Sequence, residues 1–294
     1  MGSPSTGVCG RVRRGGARCA DAVIERAIPR TGELLPVIGL GTWQTFDVGP
    51  AAYLSRADLL QRFSELGGRV VDTSPMYGEA ETAIGAMVAD RGLHDQLFFA
   101  TKVWIRGKGE GVRQMNESFS KLQVPLVDLM QVHNLLDVDS HLETLAEWKT
   151  EGRVRYVGVT HYTVESHSQL ERFLDRGIVD FVQCNYSLAV RRAESRLLPM
   201  AAAHGVATLI NRPFESGQSF REAARRPLPA VAVELGCESW AQVFLKYAIA
   251  HPAVTCVIPA TSDLDHLEQN MAAGIGPVPD EAARHALVDA WERG

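Results

Sequence analysis

The sequence predicts an α/β fold, a (β/α)8 TIM barrel with an N-terminal β-hairpin. Short apolar runs alternate with amphipathic segments at a pitch of about 30 residues, which is typical of repeated βα units. The runs are apolar throughout, as expected for strands buried on both faces of a parallel sheet. No Gly-x-Gly-x-x-Gly follows the first predicted strand, which disfavours the open sheet that binds dinucleotides. Eight such units close most naturally into a barrel.

The predicted elements follow this pattern along the chain. A hairpin is predicted around Thr31 and Gly32. Barrel strands are predicted at 37–42, 69–73, 97–103, 126–133, 154–160, 181–186, 207–211 and 255–258. Helical spacing of apolar residues predicts helices at 57–66, 79–88, 111–122, 141–149, 164–174, 193–203, 239–249 and 263–271. The stretch 215–233, which contains Pro227 and Pro229, is predicted to be the longest irregular connection, and such loops often cover ligands.

The domain organisation is predicted to be simple. With 294 residues and 46% hydrophobic content, the chain can bury one large core, so a single barrel domain is predicted over residues 23–294. Residues 1–22 are rich in Gly, Ser and Arg and are predicted to be a disordered leader. Arg13 and Arg14 precede no apolar run, which disfavours an export signal. Gly2 and Thr6 match a short myristoylation pattern, for which a coincidental match is the favoured interpretation.

Composition disfavours several classes of partner. The formal net charge is -5 and the charges are interleaved, so no basic face for a nucleic acid is predicted. Apolar stretches fall short of the ~20 residues that span a bilayer, so no membrane span is predicted. The five cysteines are widely separated, which fits neither a disulfide framework nor a zinc site. A cytoplasmic location and no metal site are therefore predicted, and the sequence does not specify an oligomeric state.

Four polar side chains end or follow apolar runs, where a barrel enzyme carries its catalytic groups. Asp72 ends the second predicted strand, and Tyr77 follows in its loop. Lys102 ends the third strand and His133 ends the fourth. An adjacent ammonium such as Lys102 lowers the pKa of a phenol, which is ordinarily near 10. Asp72 would keep this lysine charged, and His133 could hydrogen-bond the same substrate oxygen as Tyr77.

Each of these residues, taken singly, has an ordinary structural role. Aspartate can cap a turn, tyrosine before glycine is common at strand ends, lysine can be solvated, and a lone histidine is more often structural. Four such groups at three successive strand ends nevertheless indicate a functional cluster, because ionisable groups that perturb one another concentrate at active sites.

Five ordered motifs make the sequence resemble the aldo/keto reductase family from about residue 28 to residue 273. The motifs are Gly39–Trp43, Asp72–Gly78, Ala100–Lys102, Val127–His133 and Gly152–Val159. The resemblance implies that Asp72, Tyr77, Lys102 and His133 form the family's catalytic tetrad, with Tyr77 as general acid. It implies an oxidoreductase that uses NADP(H) or NAD(H) to reduce a small aldehyde or ketone to an alcohol, or catalyses the reverse. The family binds this cofactor without a glycine-rich fingerprint, which fits the missing motif.

The resemblance also implies a set of cofactor contacts. They are Thr42, Trp43, Asp72, Thr160, His161, Gln183, Asn211, Arg212, Phe214, Ser216, Gly217, Thr261, Ser262, His266, Gln269 and Asn270. Thr160 and His161 occupy the place of the family's usual Ser-Asn pair, and a histidine can still donate a hydrogen bond. Asn211 and Arg212 stand where many members stack an aromatic ring on the nicotinamide.

The implied 2′-phosphate contacts depart most from the family. The usual Lys/Arg-rich pattern after the last strand is replaced by Ala260, Thr261 and Ser262, followed by His266. A histidine is a weak substitute for a bidentate arginine, so the choice between NADP(H) and NAD(H) stays open. Arg212 could supply the positive charge from another side. Helix capping is the alternative role for these hydroxyl residues, and both roles can coexist because a helix N-terminus also binds phosphate.

The tryptophans divide into two groups. Trp43 and Trp104 follow the first and third strands and are predicted, with His133, to contact the substrate in an apolar pocket. The other tryptophans are predicted to pack between helices, and they are Trp148, Trp240 and Trp291.

Two functions other than carbonyl reduction are compatible with the sequence. A nicotinamide-binding regulatory or redox-sensing subunit would bind the cofactor and signal through a partner. A lyase or isomerase on the same scaffold is conceivable because the segments 160–161 and 211–212 depart from the family pattern. The intact set of four ionisable groups favours the reductase.

Overall fold

The computed structural model describes residues 22–293, so the predicted leader lies almost wholly outside the described residues. An antiparallel hairpin of β1 (Glu25–Ala27) and β2 (Leu34–Pro36) comes first. Eight parallel strands follow, and they are β3 (Leu40–Gly41), β4 (Val70–Asp72), β5 (Phe98–Val103), β6 (Val127–His133), β7 (Val154–Thr160), β8 (Phe181–Asn185), β9 (Ala207–Asn211) and β10 (Cys256–Val257). Parallel bridges from Ile38 to Val257 and from Gly41 to Ala260 close the sheet. The predicted barrel and hairpin are confirmed.

Helices lie between and after the strands. They are α1 (Pro50–Glu65), α2 (Ala80–Arg91), α3 (Lys108–Leu122), α4 (Val138–Thr150), α5 (His167–Asp175), α6 (Leu197–Ala203), α7 (Gln218–Ala223), α8 (Ala230–Glu234), α9 (Trp240–Ala250), α10 (Leu264–Ala272) and α11 (Glu281–Arg293). Helix α1 begins at Pro50 rather than at residue 57, because the fixed φ of proline suits the first helical position. No helix within residues 22–293 is long and apolar enough to cross a membrane.

Two parts of the chain differ from the prediction. The stretch 215–233 is not irregular, since it holds a 3-10 turn at Glu215–Gly217, then α7 and most of α8. These segments are too short for apolar periodicity to reveal them. Helix α11 was not predicted; its Trp291 ring lies 5.7 Å from the Trp240 ring and 5.4 Å from that of Phe244. Trp291 and Trp240 thus pack between helices, as the sequence predicted.

The core has two layers around the sheet. Inside the barrel, aromatic rings pack against one another, with Tyr156 stacked on Phe98 at 6.0 Å between centroids and edge-on to Phe181 at 5.4 Å. Ile28 and Leu35 of the hairpin are fully buried in the same cluster and close the N-terminal end. A larger apolar layer lies between the strands and the helices. Because the lower barrel is filled, a ligand site can form only at the C-terminal ends of the strands, as in other barrels of this type.

Candidate active site

A cleft of about 760 Å³ opens at the C-terminal ends of the strands. Its lining includes most of the predicted site residues, namely Thr42, Trp43, Asp72, Tyr77, Trp104, His133, Thr160, Gln183, Asn211, Arg212, Phe214, Ser216 and Gly217. A second cleft of about 230 Å³ is bounded by Phe214, Phe220 and Ala260, which also line the first. Four further predicted residues line the second cleft, namely Thr261, His266, Gln269 and Asn270. The fold therefore brings residues from all eight strand ends to one continuous region.

A buried ion pair lies at the base of the main cleft. The Lys102 Nζ donates to Asp72 Oδ2 at 2.6 Å and to the carbonyl of Thr73 at 2.7 Å. The other carboxylate oxygen, Asp72 Oδ1, accepts from Gln183 Nε2 at 2.8 Å and from Gln131 Nε2 at 3.2 Å. The lysine is fully buried, so an unpaired ammonium would be costly there. The carboxylate and its amide donors hold both charges in place.

This pair sets the protonation of the neighbouring side chains. Burial alone would lower the pKa of Lys102, but the Asp72 carboxylate beside it leaves that pKa above its ordinary value. The lysine Nζ lies 5.0 Å from the centre of the Tyr77 ring. Burial raises the pKa of Tyr77, and the opposing effect of Lys102 is smaller, so the net shift is upward. The expected lowering of the phenol pKa by Lys102 is thus outweighed by desolvation, and Tyr77 is a neutral phenol at physiological pH.

His133 is a neutral imidazole that lines the main cleft together with Tyr77. Burial lowers its pKa to about 2, assisted by the charge of Lys102. Its Nδ1 lies 3.1 Å from Ser74 Oγ, and its ring is perpendicular to the Tyr77 ring with 6.0 Å between centroids. The Trp104 ring lies 6.4 Å from it on another side. Ser74 therefore fixes the imidazole, a contact that sequence reasoning did not identify.

A chain of amides and hydroxyls extends from Asp72 across the strand ends. Gln183 Oε1 accepts from Thr160 Oγ1 at 3.0 Å and from Asn211 Nδ2 at 3.4 Å. Both ends of the Gln183 amide are therefore engaged within the protein. Thr42 Oγ1 donates to the Asp72 carbonyl at 2.9 Å. The predicted cofactor contacts of strands β3, β7 and β8 form one connected polar wall with the ion pair.

The loop after β9 begins with Arg212, a cationic residue whose backbone conformation is strained. Arg212 has φ of 51°, a left-handed conformation that is uncommon for an arginine. Its guanidinium lies 5.7 Å from the Tyr162 ring centre and 3.8 Å from Glu215 Oε2. Ser216, at φ of 54°, follows in the same loop. Backbone strain of this kind persists where surrounding structure fixes it and is concentrated at ligand sites.

Several lining residues have a buried polar atom that no other described residue satisfies. These atoms are Thr45 Oγ1, Asn134 Oδ1, Asn211 Oδ1 and Arg212 Nε. Buried polar groups in folded proteins are rarely without a partner, so each calls for an explanation. The orphaned amide oxygen of Asn211 and the guanidinium of Arg212 are an acceptor and a cation side by side. An acceptor suits the amide N–H of the carboxamide of a nicotinamide dinucleotide, and a cation suits its diphosphate.

The second cleft is lined by aromatic and uncharged polar side chains and carries little charge. Asp263 caps α10 by accepting from His266 N at 2.9 Å, so an acidic side chain already occupies the amides where a phosphate would bind. Thr261 Oγ1 accepts from the Asp263 amide at 3.2 Å, which matches the capping alternative for this residue. Among the residues of 22–293 that line this cleft, none is lysine or arginine.

Two predicted contacts lie outside both clefts. His161 stacks on Tyr162 with 5.4 Å between rings, and its Nδ1 accepts from the Thr163 amide at 3.3 Å. Ser262 is exposed, and its carbonyl accepts from Arg56 at 2.7 Å. The loop after β7 turns at His161, so Tyr162 lines the cleft in its place. Neither residue lines a cleft in this structure, and their contacts with the cofactor stay predictions.

Other lining residues were missed at the sequence level. They include Gln44, Thr45, Met76, Asn134, Tyr162, Phe220 and Ile258. Asn134 directly follows the predicted His133, and Tyr162 follows His161, so proximity in sequence was the available signal for both. Phe220 lies in α7, within the stretch that was predicted to be irregular.

Comparisons with known proteins agree on one family. The model of the aldo/keto reductase family matches residues 37–286. Methylglyoxal reductase DkgB of Salmonella typhi is 26% identical over 248 residues, which cover 81% of this chain and 87% of that protein. An aldo/keto reductase of Klebsiella pneumoniae, solved with NADP and acetate, is 27% identical with a TM-score of 0.74 and covers 87% of this chain and 91% of its own. A second structure from that organism, with NADPH, has a TM-score of 0.76 at 26% identity over 91% of this chain and 94% of its own.

Proposed function

The chain belongs to the aldo/keto reductase family, and from this premise we propose that it reduces a small aldehyde or ketone to the alcohol with Tyr77 as the proton donor. The observation that carries the proposal is the buried Lys102–Asp72 pair set 5.0 Å from the Tyr77 ring centre, with neutral His133 beside it. A phenol held protonated next to a fixed ammonium suits the transfer of a proton to an oxygen that gains negative charge.

A nicotinamide dinucleotide, NADP(H) or NAD(H), supplies the hydride when bound. Tyr77 donates its hydroxyl proton to the substrate oxygen as the carbonyl carbon gains the hydride, which leaves a tyrosinate. Lys102 stabilises that anion, because its charge lowers the cost of ionising the phenol, and Asp72 keeps the lysine protonated. The tyrosinate then regains a proton from solvent. The same groups in reverse would oxidise an alcohol.

His133 contributes a hydrogen bond rather than a charge. Ser74 Oγ accepts from the Met76 amide at 3.3 Å, which leaves its hydroxyl proton free to point at His133 Nδ1, 3.1 Å away. A proton on Ser74 that faces Nδ1 places the imidazole proton on Nε2. We therefore assign to Nε2 a hydrogen bond to the substrate oxygen, which orients the carbonyl toward Tyr77.

The cofactor would be held mainly at the end of β9 and in the loop that follows it. Asn211 Oδ1 would accept from the carboxamide and Arg212 would pair with the diphosphate, since both carry buried atoms without partners among residues 22–293. Trp43 and Trp104, which are 48% and 40% exposed, would present apolar surface to the substrate. The relative named methylglyoxal reductase makes methylglyoxal a suitable first substrate to test.

The proposal is tested by turnover with reduced nicotinamide and a panel of aldehydes, followed at the absorbance band of the reduced cofactor. Wild-type protein is expected to turn over at least one aldehyde. Tyr77→Phe should lose about 10²- to 10⁴-fold in kcat, while cofactor affinity, measured by quenching of protein fluorescence, stays within about twofold, because the hydroxyl acts on the substrate. Cofactor binding without any turnover by the wild type would instead support the regulatory alternative.

A further inference from the structure

One polar group on the substrate side of the cleft has no part in the mechanism above. Asn134 directly follows His133 and lines the main cleft. Its side-chain Oδ1 is buried and has no hydrogen-bond partner among residues 22–293. A buried acceptor left unsatisfied destabilises the folded protein, so its persistence beside an active site indicates that a ligand completes it.

The backbone holds this amide in place. Asn134, Leu135 and Asp137 all have positive φ, at 52°, 55° and 51°. Asparagine tolerates this conformation, but leucine does so at a cost. Asp137 fastens the loop to the neighbouring strand end, because its Oδ2 accepts from the Gly107 amide at 2.7 Å. The loop is therefore fixed rather than free to turn Asn134 toward another partner.

The surroundings of Asn134 define what it would bind. The side chains that open the cleft beside His133 are apolar and partly exposed, namely Trp43, Met76 and Trp104. The two tryptophans carry indole N–H donors, but neither donates to Asn134 Oδ1 in this structure, which leaves the donor to be supplied by a ligand. His133 and Tyr77 are assigned to the reacting oxygen, which leaves Asn134 for a second polar group close to it.

We propose that Asn134 is a specificity-determining residue that accepts a hydrogen bond from a hydroxyl group next to the reacting carbonyl. The preferred substrates would then be 2-hydroxy aldehydes or 2-hydroxy ketones rather than plain alkanals. This inference rests on the proposed carbonyl reduction. A site that hydrogen-bonds a substrate hydroxyl rejects the analogue without it, because the buried acceptor is then left unpaired.

The test compares two three-carbon aldehydes that differ only in that hydroxyl, 2-hydroxypropanal and propanal. Wild-type kcat/KM should favour 2-hydroxypropanal by roughly tenfold to a hundredfold. Asn134→Gly removes the amide while tolerating φ of 52° without strain. It should reduce that preference to about twofold or less, because 2-hydroxypropanal loses its hydrogen bond while propanal no longer leaves a buried acceptor unpaired, so kcat/KM for propanal should rise.

Met76→Ala is the matched control, since it removes bulk from the same rim of the cleft without removing an acceptor. It should change both kcat/KM values together and leave their ratio intact. Equal losses on both aldehydes in Asn134→Gly, or a wild type without preference, would overturn the role of Asn134 while leaving the reductase proposal standing. No turnover of propanal or of any other aldehyde would defeat both.

Discussion

The two sides of the main cleft differ in how far their polar side chains are hydrogen-bonded within the protein. On what we call the proton-handling side, formed by Asp72, Tyr77, Lys102 and His133, these side chains make five hydrogen bonds within the protein. One of the five belongs to His133, and four to the charged pair itself. On the cofactor side, formed by Asn211, Arg212 and the loop to Gly217, buried polar atoms lack partners among the described residues. The fold preorganises the first side, whereas we propose that a bound ligand completes the second.

The difference predicts where substitutions will affect stability. Groups whose partners lie inside the protein contribute to folding, and their loss leaves a partner buried and unpaired. Polar groups whose partner is a ligand contribute to binding. Without the ligand they lower the free energy of unfolding, because they are buried without a hydrogen bond. Substitutions on the proton-handling side should therefore reduce both stability and turnover. Those on the cofactor side should change affinity and leave stability nearly the same or higher.

The largest effect is expected for Lys102→Met, which leaves the Asp72 carboxylate buried without its counter-charge. Breaking a buried pair from one end costs about 3–5 kcal/mol, so chemical denaturation should show a loss of that size together with loss of turnover. Asp72→Asn combined with Lys102→Met removes both charges yet keeps an acceptor for Gln131 and Gln183. This double variant should recover most of the stability but none of the activity. If the double variant is no more stable than Lys102→Met, the unpaired buried charge of Asp72 is not the cause of the stability loss in the single variant.

An intermediate effect is expected for Arg212→Met. Removing the guanidinium should weaken cofactor binding by roughly tenfold to a hundredfold, because a charge-assisted contact to phosphate is lost. Isothermal titration calorimetry measures this, and the loss should shrink as salt screens the wild-type contact. The unfolding free energy should change by less than about 1 kcal/mol, since the Glu215 contact is long, at 3.8 Å.

Arg225→Met supplies the control for net charge. Arg225 is exposed, belongs to the same connection and lines neither cleft, so its loss should leave affinity within about twofold at physiological salt. Equal weakening by both substitutions would mean that Arg212 acts through overall charge rather than by contact. The division between the two sides of the cleft would then be wrong at this residue.

The same division explains what could be predicted from sequence. Lys102 was recognisable because a lysine is out of place in a buried apolar strand, and Asp72 and His133 end strands in the same way. Arg212 and Asn134 are ordinary residue types for loops, so their partnerless atoms became visible only with coordinates. The contact of Ser74 with His133 joins the loop after β4 to the last residue of β6, 59 residues further along the chain, and no local pattern encodes it.

The direction in which the pKa of Tyr77 shifts shows a second limit of prediction from sequence. The sequence places an ammonium near the phenol, and that influence does act downward. Burial depends on how the loop after β4 packs beneath the rim of the cleft, which the order of residues does not specify. Lys102 and burial shift the pKa of Tyr77 in opposite directions. The net direction can therefore be found only from the three-dimensional environment, even when both residues are identified from the sequence.

The smallest effect expected is a pH dependence of stability that comes from His133. Its pKa is about 2 in the folded protein and near 6.5 in an unfolded chain. Between these values the unfolded state binds a proton that the folded state does not. Stability from this group is therefore full well above pH 6.5 and falls as the pH drops, with a slope that approaches about 1.4 kcal/mol per pH unit below that value.

Other buried histidines share this behaviour, so the measurement compares wild type with His133→Gln. His161, His167 and His251 all have lowered pKa values because of burial, and they remain in both proteins. Unfolding free energies at pH 6.5 and pH 5.5 should show a loss that is larger in the wild type by about 1 kcal/mol, because the unfolded imidazole is already half protonated at pH 6.5. Parallel losses would mean that His133 is already charged or solvated when folded. The neutral imidazole assigned to the substrate oxygen would then have to be replaced by an imidazolium, and the preorganised side of the cleft would carry one more charge than its partners balance.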